Sequence, residues 1–531
     1  MRRILLVSFC LSVVFFVVAP RVSVAQGAAV ARRVLKVRPP VVRTRSGWVR
    51  GVAEDGVAVF RGIPYAQPPV GGLRWRPPVE HAVWSDTLAA VSYGSAALQP
   101  GGGGVSGSED CLYLNLYTPG LGGHARPVVV WVHGGSMTGG SGKGMNGHAF
   151  SDGDDIVTVT INYRLGALGF LYMGDVGFRQ SGNLGLLDVV AALKWVQENI
   201  AAFGGDPGRV TVMGESAGAK LLSAVMVAPV SKGLFQQAIL ESGAVQCIRD
   251  SVTAKHAREL LMAQLGVDDP RGLMKFSGEE LVRAQGKVCD GIGGNSFFGP
   301  VYDGVTIPDD GYGYSRKLRG VRVIIGTNED EGAGFIGRKD VEVAGSRDVG
   351  GVGSRDVEGV GSRDVGAKVF GPLFRDNAGY AGAYFQSRLL VDSPYAAMVR
   401  TLTQYMYQMH SYRLAAALSG GGVPVYVYRY AFENGREFGA RHGDELRYIW
   451  DAAKIKMNSP DSAQVALARS LHGAWAAFIK TGNPNGEGLP KWPGYSVGDP
   501  RVMVFDGVDS VVRLKEVYDD KKFPSAVFVI K

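Results

Sequence analysis

Two stretches and an acidic turn carry side chains of the types that nucleophilic catalysis needs. In "VTVMGESAGA" (210–219), Gly214 and Gly218 flank Ser216. A G-x-S-x-G pattern between an apolar run and a helical pattern seats its serine on a strained strand-to-helix turn, with no room for side chains on either side. The helix that follows turns its N-terminus toward the hydroxyl and favours negative charge there. Such a serine needs a base, and the base needs an acid to orient it. His442, in "FGARHGDELRY" (438–448), lies in a polar, glycine-containing stretch after a strand-like run. The turn in "VRVIIGTNEDEGAGF" (321–335) offers three acids, Glu329, Asp330 and Glu331, and spacing alone does not choose among them. Read singly, a loop histidine is a solvated residue and an acidic run a solvated turn. The order serine, acid, histidine is the one the α/β-hydrolase fold uses.

A fourth stretch, "WVHGGSMTGGSGKG" (131–144), imitates a phosphate loop. That loop needs Gly six residues before its Lys and Ser or Thr after it. Here Met137 stands at the first position and Gly144 at the second. This stretch is therefore not a nucleotide loop. No Cys or His spacing suggests a metal, and the expected chemistry needs no cofactor.

The elements that must position these residues alternate along the chain. "PVVVWVH" (127–133), "DIVTVTI" (155–161), "RVTVM" (209–213), "VRVII" (321–325) and "VPVYVYRY" (423–430) are strand-like runs bounded by Gly, Pro or Asp. Between them, "GLLDVVAALKWVQENIAAF" reads as a helix that stops at the Gly-Gly after Phe203. Buried strands alternating with helices predict an α/β architecture, a mostly parallel central sheet with helices on both faces; the order serine, acid, histidine points to its α/β-hydrolase form, with large insertions. A single domain is expected over 26–531. Within it, four octads beginning at Gly337, Gly345, Gly353 and Gly361 form a low-complexity insertion over 337–368, with too few apolar residues to build a core.

The N-terminus differs in kind. Arg2 and Arg3 precede "ILLVSFCLSVVFFVVA", and small residues at Ser23 and Ala25 suit cleavage after Ala25, so residues 1–25 read as a signal peptide and export to the periplasm or medium is expected. No later stretch is apolar enough to span a bilayer. The composition, 46% hydrophobic and 20% charged with net charge +8, has no Lys/Arg block, which argues against a nucleic-acid partner. Cys111, Cys247 and Cys289 remain after cleavage, an odd number, and Cys247–Cys289 is the expected pair if one forms.

With "FRGIPYAQPPVGGLRWRPP" (60–78), "SEDCLYLNLYTP" (108–119), "INYRLGALGFL" (161–171), the block 182–219 and "FIKTGNPNGEGLPKWPGY" (478–495), the chain resembles the type B carboxylesterases, the group of bacterial carboxylesterases, nitrobenzyl esterases and cholinesterases. The resemblance runs from Val42 to Asp506 apart from the octads. It implies a serine carboxylesterase acting on small-molecule esters, with Ser216 as nucleophile, Glu331 as the acid and His442 as the base. It also implies an oxyanion hole of backbone N–H groups at Gly135, Ser136 and Ala217.

Two departures stand out. Relatives usually place Gly or Ala where this chain has Ser136. The early loop also lacks a cysteine partner for Cys111, so the disulfide of cholinesterases is absent. A catalytically silent binding or adhesion protein is the competing reading, though such members generally lose a triad residue. A choline esterase would need an aromatic cation site, for which Trp84 is the lone candidate, and a lipase with a hydrophobic lid is a further alternative.

Overall fold

The apolar runs assemble into one 11-stranded sheet. The computed structural model describes residues 38–515 apart from 290–296, 308–312, 314, 339–340, 342–369, 371–372, 375–377 and 459–460. Both the signal-peptide segment and all but the first residues of the octads lie outside the described residues.

In chain order the strands are β1 (Val52–Glu54), β2 (Val57–Pro64), β3 (Tyr113–Thr118), β4 (Arg126–Val132), β5 (Val157–Ile161) and β6 (Gly205–Glu215). They continue as β7 (Gln237–Glu241), β8 (Arg322–Asn328), β9 (Val425–Tyr430), β10 (Arg501–Phe505) and β11 (Ser510–Arg513). Their spatial order is β11-β10-β9-β8-β7-β6-β4-β5-β3-β2-β1. From β5 through β10 every pairing is parallel; β10–β11 at one end and β5–β3, β3–β2 and β2–β1 at the other are antiparallel.

Strand periodicity explains why the central runs are apolar throughout. Val128, Val130 and Val132 of β4 join one core cluster, while Val129 and Trp131 join another. Successive side chains point to opposite faces, and both faces are covered. On the first face lie α1 (Leu184–Asn199) and α2 (Ala217–Val227), which contribute Leu186, Val190, Leu221 and Val225. On the second lies a long helix, Ser462–Thr481, which contributes Leu471, Trp475 and Phe478. As the sequence predicts, α1 runs on into a tight turn at Ile200–Phe203 and ends at Gly204, whose φ of +80° is a left-handed cap.

One expectation fails. Cys247 and Cys289 are free thiols, as is Cys111. The buried Cys247 thiol instead donates to the Lys220 carbonyl at 3.3 Å, and Cys289 caps the helix Gly278–Val288. Each is committed to a separate local structure, and no bridge forms.

Candidate active site

Parallel strands deliver their C-terminal ends to one edge of the sheet, where open α/β folds gather their functional loops. Val132 of β4 is level with Gly214 of β6, Glu215 with Glu241 of β7, and Glu241 with Gly326 of β8. The segments that follow carry the glycine loop, Ser216, Ser242, Glu331 and, after β9, His442.

Ser216 sits between β6 and α2 with φ 53° and ψ −119°, a conformation disfavoured for any residue with a side chain. Its N–H donates to the Glu241 carbonyl at 2.8 Å. The flanking glycines have a steric cause: a Cβ on Gly218 would lie 2.0 Å from the Val132 carbonyl oxygen, and one on Gly214 would lie 2.7 Å from it. Strand β4 passes so close that only hydrogen fits.

Glu331 is fully buried and closes the next corner. Its Oε2 accepts from His442 Nδ1 at 2.5 Å, and its Oε1 accepts from the Asn328 backbone N–H at 2.9 Å and from Ser242 Oγ at 2.5 Å. Of the acidic trio, Glu331 alone reaches His442. Glu329 pairs with Arg429 at 2.9 Å, and Asp330 accepts from the Ala440 N–H at 3.3 Å.

The other imidazole nitrogen, Nε2, faces Glu215 Oε1 at 3.1 Å, and no hydrogen bond joins it to Ser216. Burial, with Glu331 and Glu215 adding to it, raises the Tyr407 phenol well above its ordinary value, and Ser216 acts the other way. The Tyr407 ring centroid is 4.7 Å from that of His442, and Phe335 packs on the imidazole at 4.9 Å. Burial works against an imidazolium, but Glu215 and Glu331 outweigh it and hold His442 up to about 9. Burial raises Glu215, with Glu331 adding to the rise against the attraction of His442. Farther out, burial with Glu215 and Glu331 pushes Glu445 up to about 8, while Asn328 Nδ2 donates to it at 2.5 Å.

The glycine loop abuts this cluster. A Cβ on Gly134 would lie 3.2 Å from that of Ser216. Gly135 (φ 102°), Ser136 (φ 56°) and Met137 (φ 59°) are all in the left-handed region. For Ser136 and Met137 that costs on the order of 1 kcal/mol each. The surroundings hold the loop: Gly166 N–H donates to the Met137 carbonyl at 2.7 Å, Tyr163 Oη to the His133 carbonyl at 2.8 Å, and the Thr138 N–H to the Gly135 carbonyl at 3.0 Å. Trp84 plays no part here; its indole donates to the Trp48 carbonyl at 2.9 Å and its ring packs on the core. Gly337 and Arg338, where the octads begin, line a groove of about 530 Å³ together with Phe335 and Arg441. No group of three or more Cys, His, Asp or Glu among the described residues has a metal-holding arrangement.

Residues 38–517 match the carboxylesterase family. The chain belongs to that family. This carboxylesterase is 35% identical to phenmedipham hydrolase of Pseudarthrobacter oxydans, over 88% of its own length and 94% of that protein's. It is 32% identical to the para-nitrobenzyl esterase of Bacillus subtilis, over 91% and 99%. A crystal structure of a Geobacillus stearothermophilus carboxylesterase superposes with a TM-score of 0.76 at 34% identity, covering 90% of this chain and 98% of that one. The fold is the α/β-hydrolase fold, and the enzyme is a carboxylic ester hydrolase.

Reasoning on sequence missed Tyr407, Ser242 and the partnership of Glu215 with His442. A signal existed for one: Glu215 directly precedes Ser216, in the turn that the flanking glycines mark. Tyr407 lies in a π-helical turn, Gln404–Gln408, a feature frequent at functional sites that hydrophobic periodicity does not reveal.

Proposed function

We propose that this carboxylesterase hydrolyses small-molecule esters through an acyl-enzyme on Ser216, with His442 as general base and Glu331 as its orienting acid. The observation that carries this reading is the 2.5 Å contact between Glu331 and His442 Nδ1, which leaves Nε2 as the nitrogen to accept the Ser216 proton. In the resting site Nε2 leans on Glu215; catalytic hydrogen bonds are often long in free enzymes and tighten once substrate is bound. The Ser216 hydroxyl attacks the ester carbonyl, and His442 passes the proton to the departing alcohol. Water then enters, loses its proton to His442 and releases the acid.

The tetrahedral oxyanion is held by the backbone N–H groups of Gly135, Ser136 and Ala217. Ala217 opens α2, and the first N–H groups of a helix have no acceptor within it. Preorganised donors of this kind are worth about 3 kcal/mol each in the transition state. Ser216→Ala is expected to lower kcat on a short-acyl nitrophenyl ester by roughly 10⁴-fold or more. Wild-type turnover by that variant would sink the mechanism. Labelling of Ser216 by an organophosphate separates an acyl-enzyme from a silent binding protein. The Arg2-Arg3 pair, the apolar run and Ala25 support export with cleavage after Ala25, and N-terminal sequencing of the mature protein tests it.

A further inference from the structure

One cation in the site has no use in that mechanism. Lys220 is the fourth residue after Ser216, one turn along α2 on the same face. Helical side chains lean back toward the N-terminus, so its stem runs toward the nucleophile turn. Its Nζ lies 4.6 Å from the centroid of the Tyr407 ring. The same ring packs, tilted, against the imidazole of His442. The ammonium and the imidazole thus share one aromatic neighbour, and the Lys220 side chain keeps partial exposure.

The position is costly for a cation. Burial lowers the ammonium to about 8; Arg249 pushes the same way, while Cys247, Glu215 and Glu331 partly oppose it. His410 and His442 also feel its charge. The positive end of the α2 dipole is adjacent, which disfavours a cation further. Glu331 and Glu215 are both turned to His442, and among the described residues no carboxylate comes within ion-pair distance of Lys220. The Tyr407 face offsets a part of that penalty. A charge kept against its local environment one helical turn from Ser216 points to a counter-charge that arrives with the ligand.

We propose that Lys220 is a specificity-determining residue that binds a carboxylate carried by the ester, so that monoanionic esters of dicarboxylic acids or of hydroxy acids are preferred over neutral ones. This rests on the Ser216 mechanism and adds the substrate class. An entering carboxylate pairs with Lys220 in a site that water leaves on binding, where such a pair discriminates strongly. An uncharged ester leaves the ammonium as it was.

The test compares kcat/KM for monoethyl adipate against ethyl hexanoate, which varies the acyl side, and for 6-butanoyloxyhexanoate against hexyl butanoate, which varies the alcohol side. At pH 7 one anionic ester is expected to exceed its neutral counterpart by about tenfold or more. In Lys220→Met that ratio falls to about 1, and in Lys220→Arg it is largely retained. In the wild type the preference fades as pH rises above about 8, because the ammonium is charged below its pKa and neutral above it. A wild-type enzyme that turns over the neutral esters but favours neither anion overturns the assignment without any variant, as does a preference that survives Lys220→Met. Absence of Ser216-dependent turnover on all four esters defeats the catalytic reading instead.

Discussion

His442 has a carboxylate on each side, and the two are held differently. Glu331 is fixed: it accepts from Asn328 N–H, Ser242 Oγ and His442 Nδ1, and no part of it reaches solvent. Glu215 is loose: its Oε1 meets His442 Nε2 at 3.1 Å but makes no hydrogen bond of acceptable geometry, and burial raises it. Two acids against one imidazole thus divide the work. In the proposed mechanism Glu331 sets the ring's tautomer and orientation. Glu215 supports the imidazolium electrostatically from the side where the proton must arrive. A rigid partner belongs on the nitrogen that keeps its proton, and an adjustable one near the nitrogen that exchanges it.

The largest effect expected from disturbing this pair is at Glu331. Glu331→Gln keeps the volume but presents an amide to a network built from donors, and kcat should fall by roughly 10⁴-fold. A loss no greater than that of Glu215→Gln would erase the distinction. For Glu215→Gln the loss is expected to be about tenfold, with a diagnostic pH shift. Because His442 must be neutral to take the Ser216 proton, kcat/KM rises as pH climbs through its pKa, about 9. Removing the Glu215 charge lowers that pKa, so the acid limb of the profile should move to lower pH. A limb that stays put or moves upward contradicts the role given to Glu215. The smallest effect is at Ser242. Ser242→Ala removes one of three donors to Glu331 and should cost about 1–3 kcal/mol of stability in urea unfolding, with a several-fold fall in kcat. If activity and stability are both untouched, the fixation of Glu331 does not depend on that hydroxyl.

Much of this arrangement is legible in the chain, and the unreadable part has a physical cause. The strands of the central sheet announce themselves because burial on both faces makes them continuously apolar, as in "VVVWV" of β4. β7 escapes because "QAILE" is short and begins and ends on polar residues, both of them buried. Ser216 is visible because its turn demands flanking glycines that no other geometry needs. Glu331 was only one of three acids until the family resemblance singled it out. What distinguishes it physically is contact with Ser242 and His442, 89 and 111 residues away in the chain. Tyr407 carries no local pattern, and Lys220 shows only its place one turn after Ser216, with no sign that the two meet. Their positions depend on how a helix after β8 packs over α2, which no window of sequence contains. The Cys247–Cys289 pairing failed for a related reason: counting thiols does not say where backbones meet.

The π-helical turn at Gln404–Gln408 bears on how this site tolerates insertions and deletions. Each residue advances an α-helix by about 100°, and a π turn is the mark of one residue beyond the regular count. Deleting a single residue there would let the turn revert to ordinary winding with the helix on either side kept in register, so the rearrangement would fall on the turn itself and on Tyr407 within it. Tyr407 would leave the imidazole and the lysine together. A change that is conservative for the helix is therefore drastic for the site, and alignments that slide a gap through this segment misplace the ring that packs on both His442 and Lys220.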